Sequence, residues 1–400
     1  MKRVGLLAAG AAAAAIVGGA APAPAPVANY WMDVATMSGM GAGMMGGGKP
    51  NMAQIMQMMN GGGGQASHSL NLYLASKQKA AAPQAQHLIP ATLRMGPALP
   101  LVAPPAAKPA PKYEGMPGNF QQPKGRMLIY WGCAEHAGAG QPTIVDFSKI
   151  AVGQLPPGYK AMVSAMQAAQ PPRPGASAGY GEWPNSRDSR AVPPGASLIG
   201  AHKVEGNYSP PIAFTLGAGQ DFMPALGLRE AGALPSGAVR LMWAPAAQAT
   251  GYALSMFGGS PSGDVVVWTS ANKAAAFPNM DYLSPSQVKQ LVASGGALAP
   301  AISQCTVPAE VVKASPTGMV MMIGYGPEAH FSDKPKTPTW TTRVRYKTTA
   351  SLMLGMGDMF GEADDEQPAP QQAQPQPKKK KKGFGLGDLI QGATGIPVGN

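Results

Sequence analysis

The chain has 400 residues, a formal charge of +11, 52 glycines and 42 prolines, with only 13% charged and 6% aromatic residues. Such glycine and proline content approaches the level at which disorder becomes the default, which argues against a chain packed from end to end and predicts a folded middle between flexible ends. The charge is uneven, with Lys378, Lys379, Lys380, Lys381 and Lys382 consecutive, and this argues against a dedicated nucleic-acid domain.

Residues 1–21 read as a secretory signal peptide. Lys2 and Arg3 precede an alanine-rich apolar run that closes on Gly19, Ala20 and Ala21, the layout that export machinery and signal peptidase recognise. The run is too short and too small-sided to span a bilayer. The mature chain is expected to begin near residues 21–26, and the protein is expected in the periplasm, cell envelope or extracellular space.

Residues 22–65 form a Met/Gly-rich, low-complexity region, expected to be mostly unstructured. Within it, Asn51 and Gln54 make a capping box and Gly61 a stop, so Met52, Ile55, Met56 and Met59 would share one face of a short helix. Thioethers suit Cu(I) where thiols are oxidised, so Met37, Met40, Met44, Met45, Met52, Met56 and Met59, together with His68, form a candidate copper set. The competing reading is an adaptable, greasy partner surface.

Residues 66–225 are expected to form a first β-rich domain. Leu70, Leu72 and Leu74 alternate with polar residues, which is strand periodicity. Residues 127–131, 143–150 and 212–216 are further strands, and residues 159–169 suggest a helix. The proline-broken stretch 94–123 reads as irregular connection. Residues 171–195 read as a surface loop, with Tyr180 and Trp183 anchored on the domain beneath it.

Residues 226–354 are expected to form a second β-rich domain, with strands at 239–243, 252–256, 265–268, 318–325 and 340–346 separated by turn signals. Ser284, Pro285 and Gln287 mark a helix start ending at Gly295. Residues 355–400 are expected to be a disordered tail carrying the lysine run. The expected fold class is therefore mainly β: two antiparallel β-sandwich-like units with a few short helices, flanked by disordered tails. The segment Val239-Arg240-Leu241-Met242-Trp243, followed by Ala249-Thr250-Gly251-Tyr252, resembles the early strands of fibronectin type III domains, in which a Trp and a Tyr at similar separation pack inside. The resemblance covers about residues 239–270, and the helix that follows departs from the family pattern. It implies a binding or spacer module.

The chemistry-bearing motifs are sparse. Cys133 and Cys305 are the two cysteines, and in an exported chain they are expected to form one disulfide. That bond would remove the thiol from Gly132-Cys133-Ala134-Glu135-His136 and so exclude a Cys/His nucleophile there. His68, His87, His136, His202 and His330 sit in unrelated contexts without metal spacing. No carboxylate pair or nucleophile elbow stands out, so no catalytic residues are assigned. On residues 340–347, Trp340, Val344 and Tyr346 face one way and Arg343, Arg345 and Lys347 the other. This basic row, with Lys378 to Lys382, is a candidate polyanion contact, against the commoner case of a solvated sheet face. The function expected is non-catalytic binding or scaffolding at the cell envelope, through an envelope protein or anionic polymer and peripheral membrane contact. Copper binding and a secreted hydrolase with an unrecognised site are the alternatives.

Overall fold

The computed structural model describes residues 25–39, 66–105, 125–147, 167–273 and 280–355. The signal-peptide segment, the lysine run, the expected helix after Asn51 and most of that expected at 159–169 lie outside these residues.

The protein is mainly β. Nine strands form one large sheet: β1 (Ala28–Gly39), β2 (Ser67–Ser76), β5 (Arg126–Trp131), β6 (Thr143–Asp146), β7 (Gly179–Trp183), β12 (Gly251–Gly259), β13 (Val265–Thr269), β15 (Gly318–Ser332) and β16 (Trp340–Leu354). Their order is β6-β5-β13-β12-β15-β16-β1-β2-β7. A four-stranded sheet contains β3 (Ala85–Leu88), β4 (Ala98–Leu101), β8 (Gly200–Gly206) and β9 (Ile212–Leu216), and a three-stranded sheet contains β10 (Arg229–Ala233), β11 (Val239–Met242) and β14 (Gln304–Val307). Two short helices, α1 (Pro285–Ala293) and α2 (Ala309–Ala314), complete the regular structure.

The large sheet is mixed. β1 runs parallel to β16, and β13 parallel to β5, while the other pairs are antiparallel. It draws strands from both sides of residue 225, so the boundary expected there does not divide the sheet. The expected three-strand unit also separates: β12 and β13 form a hairpin in the large sheet, whereas β11 joins the small one. Trp243 and Tyr252 still meet edge-on at 5.6 Å, buried between them.

β1 is the largest departure from the sequence reading. Its glycine- and methionine-rich surroundings suggested an unstructured segment, yet Tyr30, Met32 and Val34 alternate towards the core and are fully buried. They join Leu70, Leu72 and Leu74 of β2, Val344 and Tyr346 of β16, and Leu254, Met256, Val266 and Trp268 in a single core. The two smaller sheets supply the opposing side through Leu99, Val204, Ile212, Leu216, Leu241 and Val307. Each such side chain contributes about 1.5 to 3 kcal/mol on burial. This inner face of the large sheet is therefore closed.

The other face, called outer here, carries α1. Ser284 caps that helix through the Gln287 amide and completes the expected capping box, and Val288 packs with Ala253, Ile323 and Tyr325. Gly39 ends β1 at a positive φ of 72°, where a Cβ would collide with the Ser351 carbonyl. Gly326 sits at a register shift in β15, and a Cβ there would come within 2.5 Å of the Tyr346 carbonyl. β7 lies where a surface loop was expected. Its Trp183 is 2% exposed, which fits the anchoring role but not the loop.

Cys133, just beyond β5, is bonded to Cys305 on β14, with Cα atoms 4.9 Å apart and a sequence separation of 172. No free cysteine remains. Closing so long a loop stabilises by about 5 kcal/mol in the chain-entropy model. Cys133→Ser with Cys305→Ser should lower urea-denaturation stability by about 2 to 5 kcal/mol; an unchanged midpoint would mean that other contacts already hold the loop ends.

Candidate functional site

The basic row of β16 has the face parity read from its sequence but not the exposure. Arg345 is 1% exposed, and its guanidinium donates two hydrogen bonds to Asp33 of β1, Nε to Oδ1 at 2.7 Å and Nη2 to Oδ2 at 2.5 Å. Its Nη1 donates to the Ala169 carbonyl. The same guanidinium lies between the rings of Trp31, at 4.9 Å, and Tyr282, at 4.6 Å. Arg343 also lies over Trp31, at 4.7 Å, and pairs with Glu328 at 2.5 Å. Lys347 sits over Tyr282 and donates to the Met280 carbonyl.

The row is therefore not the open, solvated sheet face that was one expectation for Arg343, Arg345 and Lys347: Arg345 is buried, and Arg343 and Lys347 are half-buried. The physical reason is coverage by distant chain: residues 167–170 and 280–283 lie over this part of the outer face. Burial pushes the Asp33 carboxyl above the usual carboxylate range, and the guanidinium pulls it back. Burial also opposes the charge on Arg345, but the hydrogen bonds and charge of Asp33 outweigh it and hold the guanidinium above its ordinary value. Burial lowers Lys347, with Asp281 and Asp33 restoring part of its charge. Tyr73, one strand beyond Trp31, is pushed up to about 12, by burial first and by Asp33 next.

A second polar cluster crosses the core. Tyr30 of β1, His87 of β3 and His202 of β8 form a chain in which Tyr30 Oη lies 2.9 Å from His87 Nδ1 and His87 Nε2 lies 3.0 Å from His202 Nδ1. His202 Nε2 lies 2.7 Å from the Leu198 carbonyl. That carbonyl can only accept, so His202 carries its proton on Nε2 and accepts at Nδ1. His87 must then donate from Nε2 and accept at Nδ1 from the Tyr30 hydroxyl. Every proton has a place, and all three groups are neutral. Burial lowers both histidines, His87 strongly and with His202 opposing its charge as well. These two histidines are thus brought together, whereas their sequence contexts are unrelated and 115 residues apart.

The remaining histidines are separate. His68 stacks on Phe222 at 4.1 Å and contacts Thr36, while His330 faces Glu328. His136 lies 3.1 Å from Glu310 on α2, which also accepts from the Ala137 amide. The segment Gly132 to His136 is a structural clasp: Cys133 is bonded, Gly132 accepts from the Trp268 indole at 2.8 Å, and Glu135 accepts from the Ala309 amide.

Of the methionines read as a copper set, Met37 lies half-buried on the outer row of β1. Met40, Met44, Met45, Met52, Met56 and Met59 lie outside the described residues. Among the described residues, no three His, Cys, Asp or Glu side chains group as a metal site. The register places other thioethers together, which the sequence reading did not single out. Met319 of β15 stands directly opposite Met353 of β16, and Met321 follows two residues on along the same face. All three are half-buried. The spacing Met319-Val320-Met321 was visible in the chain, but its partner strand was not. No family model, curated protein or solved structure matches this chain.

Asp33→Ala, which leaves Arg345 buried without its anion, should cost about 3 to 5 kcal/mol in urea denaturation, and adding Arg345→Met should recover most of that loss. Equal destabilisation of the single and double variants would show that packing, not the stranded charge, sets the cost. The histidine chain predicts acid sensitivity with a definite sign. Both imidazoles have lowered pKa values in the fold, so the unfolded chain binds more protons; stability is full above the ordinary histidine value near 6.5 and falls below it. The slope should reach about 1.4 kcal/mol per pH unit for each histidine. Denaturation midpoints at pH 7.5 and 5.5 test this, and a flat profile would show that the chain accepts protons without strain.

Proposed function

We propose that the protein is exported and acts as a non-catalytic binding or scaffolding protein of the cell envelope. The observation that carries the reading is the disulfide between Cys133 and Cys305, which uses both cysteines and joins two sheets. Such bonds persist in oxidising compartments and are rare in the cytosol. Two further features support it. Residues 1–21 have the layout of a secretory signal, and among the described residues no helix is long and apolar enough to cross a membrane.

The ionic groups of the outer face are engaged in holding strands together, so attachment to an anionic polymer or lipid surface falls to Lys378, Lys379, Lys380, Lys381 and Lys382. Each basic residue near such a surface contributes about 1 kcal/mol, and the attraction is screened by salt. The half-buried thioethers favour the copper alternative over a hydrolase, because they provide soft ligands and no group for proton transfer.

The test is fractionation of cells making the full chain. The mature amino terminus is expected between residues 21 and 26, the cysteines oxidised, and the protein in envelopes from which raised salt releases it. Changing the five lysines to glutamine should place it in the soluble exported fraction without salt. Full retention of that variant in high salt would defeat electrostatic attachment, and a cytoplasmic, uncleaved, reduced chain would defeat export.

A further inference from the structure

The geometry points to a binding site for a soft monovalent cation, Cu(I) or Ag(I), formed by the thioethers of Met319, Met321 and Met353 on the outer face of the large sheet. Its place in biology rests on the exported, oxidising setting argued above; its geometry does not. Met319 and Met353 are directly opposed across an antiparallel pair, and Met321 is the next residue on that face of β15. Opposed Cβ atoms stand about 5 Å apart and same-face neighbours on one strand about 7 Å apart, so the three Cβ atoms mark a triangle whose centre is about 4 Å from each corner. A sulfur two bonds out from each Cβ can meet an ion above that centre, and the unbranched side chain has the freedom to do so.

The surroundings suit such an ion. Phe257 of β12 is opposite Met319, placing an aromatic side chain beside the thioethers, and Met321 stands between Ser255 and Ser351. Across β16, the position opposite Ser351 is Gly39, whose missing side chain leaves that flank low, and Met37 stands two residues before it as a fourth thioether at the rim. The row offers no thiolate, imidazole or carboxylate, so hard cations and Zn²⁺ have nothing to prefer there. A neutral thioether set selects soft metals of the Cu(I) kind. In a protein whose thiols are both consumed in a disulfide, methionine is the remaining soft ligand.

The site is distinct from the methionines at positions 40–59, and the experiment separates the two. Full-length, disulfide-intact protein is titrated with Cu(I) against a chromophoric competitor, and with Ag(I) by calorimetry. Met319→Leu, Met321→Leu and Met353→Leu combined preserve volume closely enough to keep the sheet. The triple variant should lose one equivalent, its affinity falling by roughly 100-fold or more because no directly converging thioethers remain. Replacing Met40, Met44, Met45, Met52, Met56, Met58 and Met59 with leucine should leave that equivalent in place. In wild-type protein carrying labelled methionine methyls, the resonances of Met319, Met321 and Met353 should shift together at the first equivalent of Ag(I). Unchanged binding in the triple variant overturns the proposal. So do unmoved resonances at these three methyls, a measurement that decides the matter even if the triple variant fails to fold. Salt release from envelopes does not involve these residues, so either proposal can fail alone.

Discussion

The bidentate contact between Arg345 and Asp33 sits at the one junction on which the large sheet depends. In the order β6-β5-β13-β12-β15-β16-β1-β2-β7, β1 is the link between a six-strand block and the pair β2 and β7. It is held on one side by parallel pairing to β16, a partner about 312 residues away. Closing so long a separation is entropically expensive and offers little local structure in return. An ion pair at that junction adds something hydrogen bonds between strands do not supply, namely a strong preference for one register. A slip of β1 by one residue would turn Asp33 away from Arg345 into the closed apolar core and Tyr30, Met32 and Val34 outward. Trp31 and Tyr282 complete the device, because their rings flank the guanidinium and exclude water from it.

What the sequence revealed and what it hid follow from the range of the interactions. The alternation of Leu70 to Leu74, the continuous apolar run Met127 to Trp131 and the turn-bounded run Val265 to Trp268 lie within their own residues, and the Ser284 capping box is complete within four. These were legible. β1 was not, because its alternation of Tyr30, Met32 and Val34 is short and is set among glycines and methionines that suggest disorder. The face parity of Arg343, Arg345 and Lys347 was legible too, since parity is local. Their burial was not, since it comes from residues 167–170 and 280–283, and no strand's periodicity records what lies on top of it.

The same limit explains the candidate sites. His87 and His202 become neighbours only once β3 pairs with β8, and Met353 meets Met319 only once β15 pairs with β16. A search for spacing along the chain finds helical metal motifs and misses ligand sets assembled across a ladder. The disulfide was legible for a different reason: with two cysteines there is one intramolecular pairing to consider, and geometry has only to permit it.

The two small sheets are joined to the large one by unlike chemistry. Tyr30, His87 and His202 tie the four-stranded sheet to β1 by a run of neutral hydrogen bonds whose proton positions are all fixed by the Leu198 carbonyl. Cys133 and Cys305 tie the three-stranded sheet to the end of β5 by a covalent bond. A neutral chain costs less to bury than a charged one, which suits the closed inner face, whereas the charged groups lie on the outer face, where Ala169, Met280 and Tyr282 meet them. Because protons act on the first tie and reductants on the second, the two attachments can be loosened independently of each other, and neither lies at the Arg345 and Asp33 junction between β16 and β1.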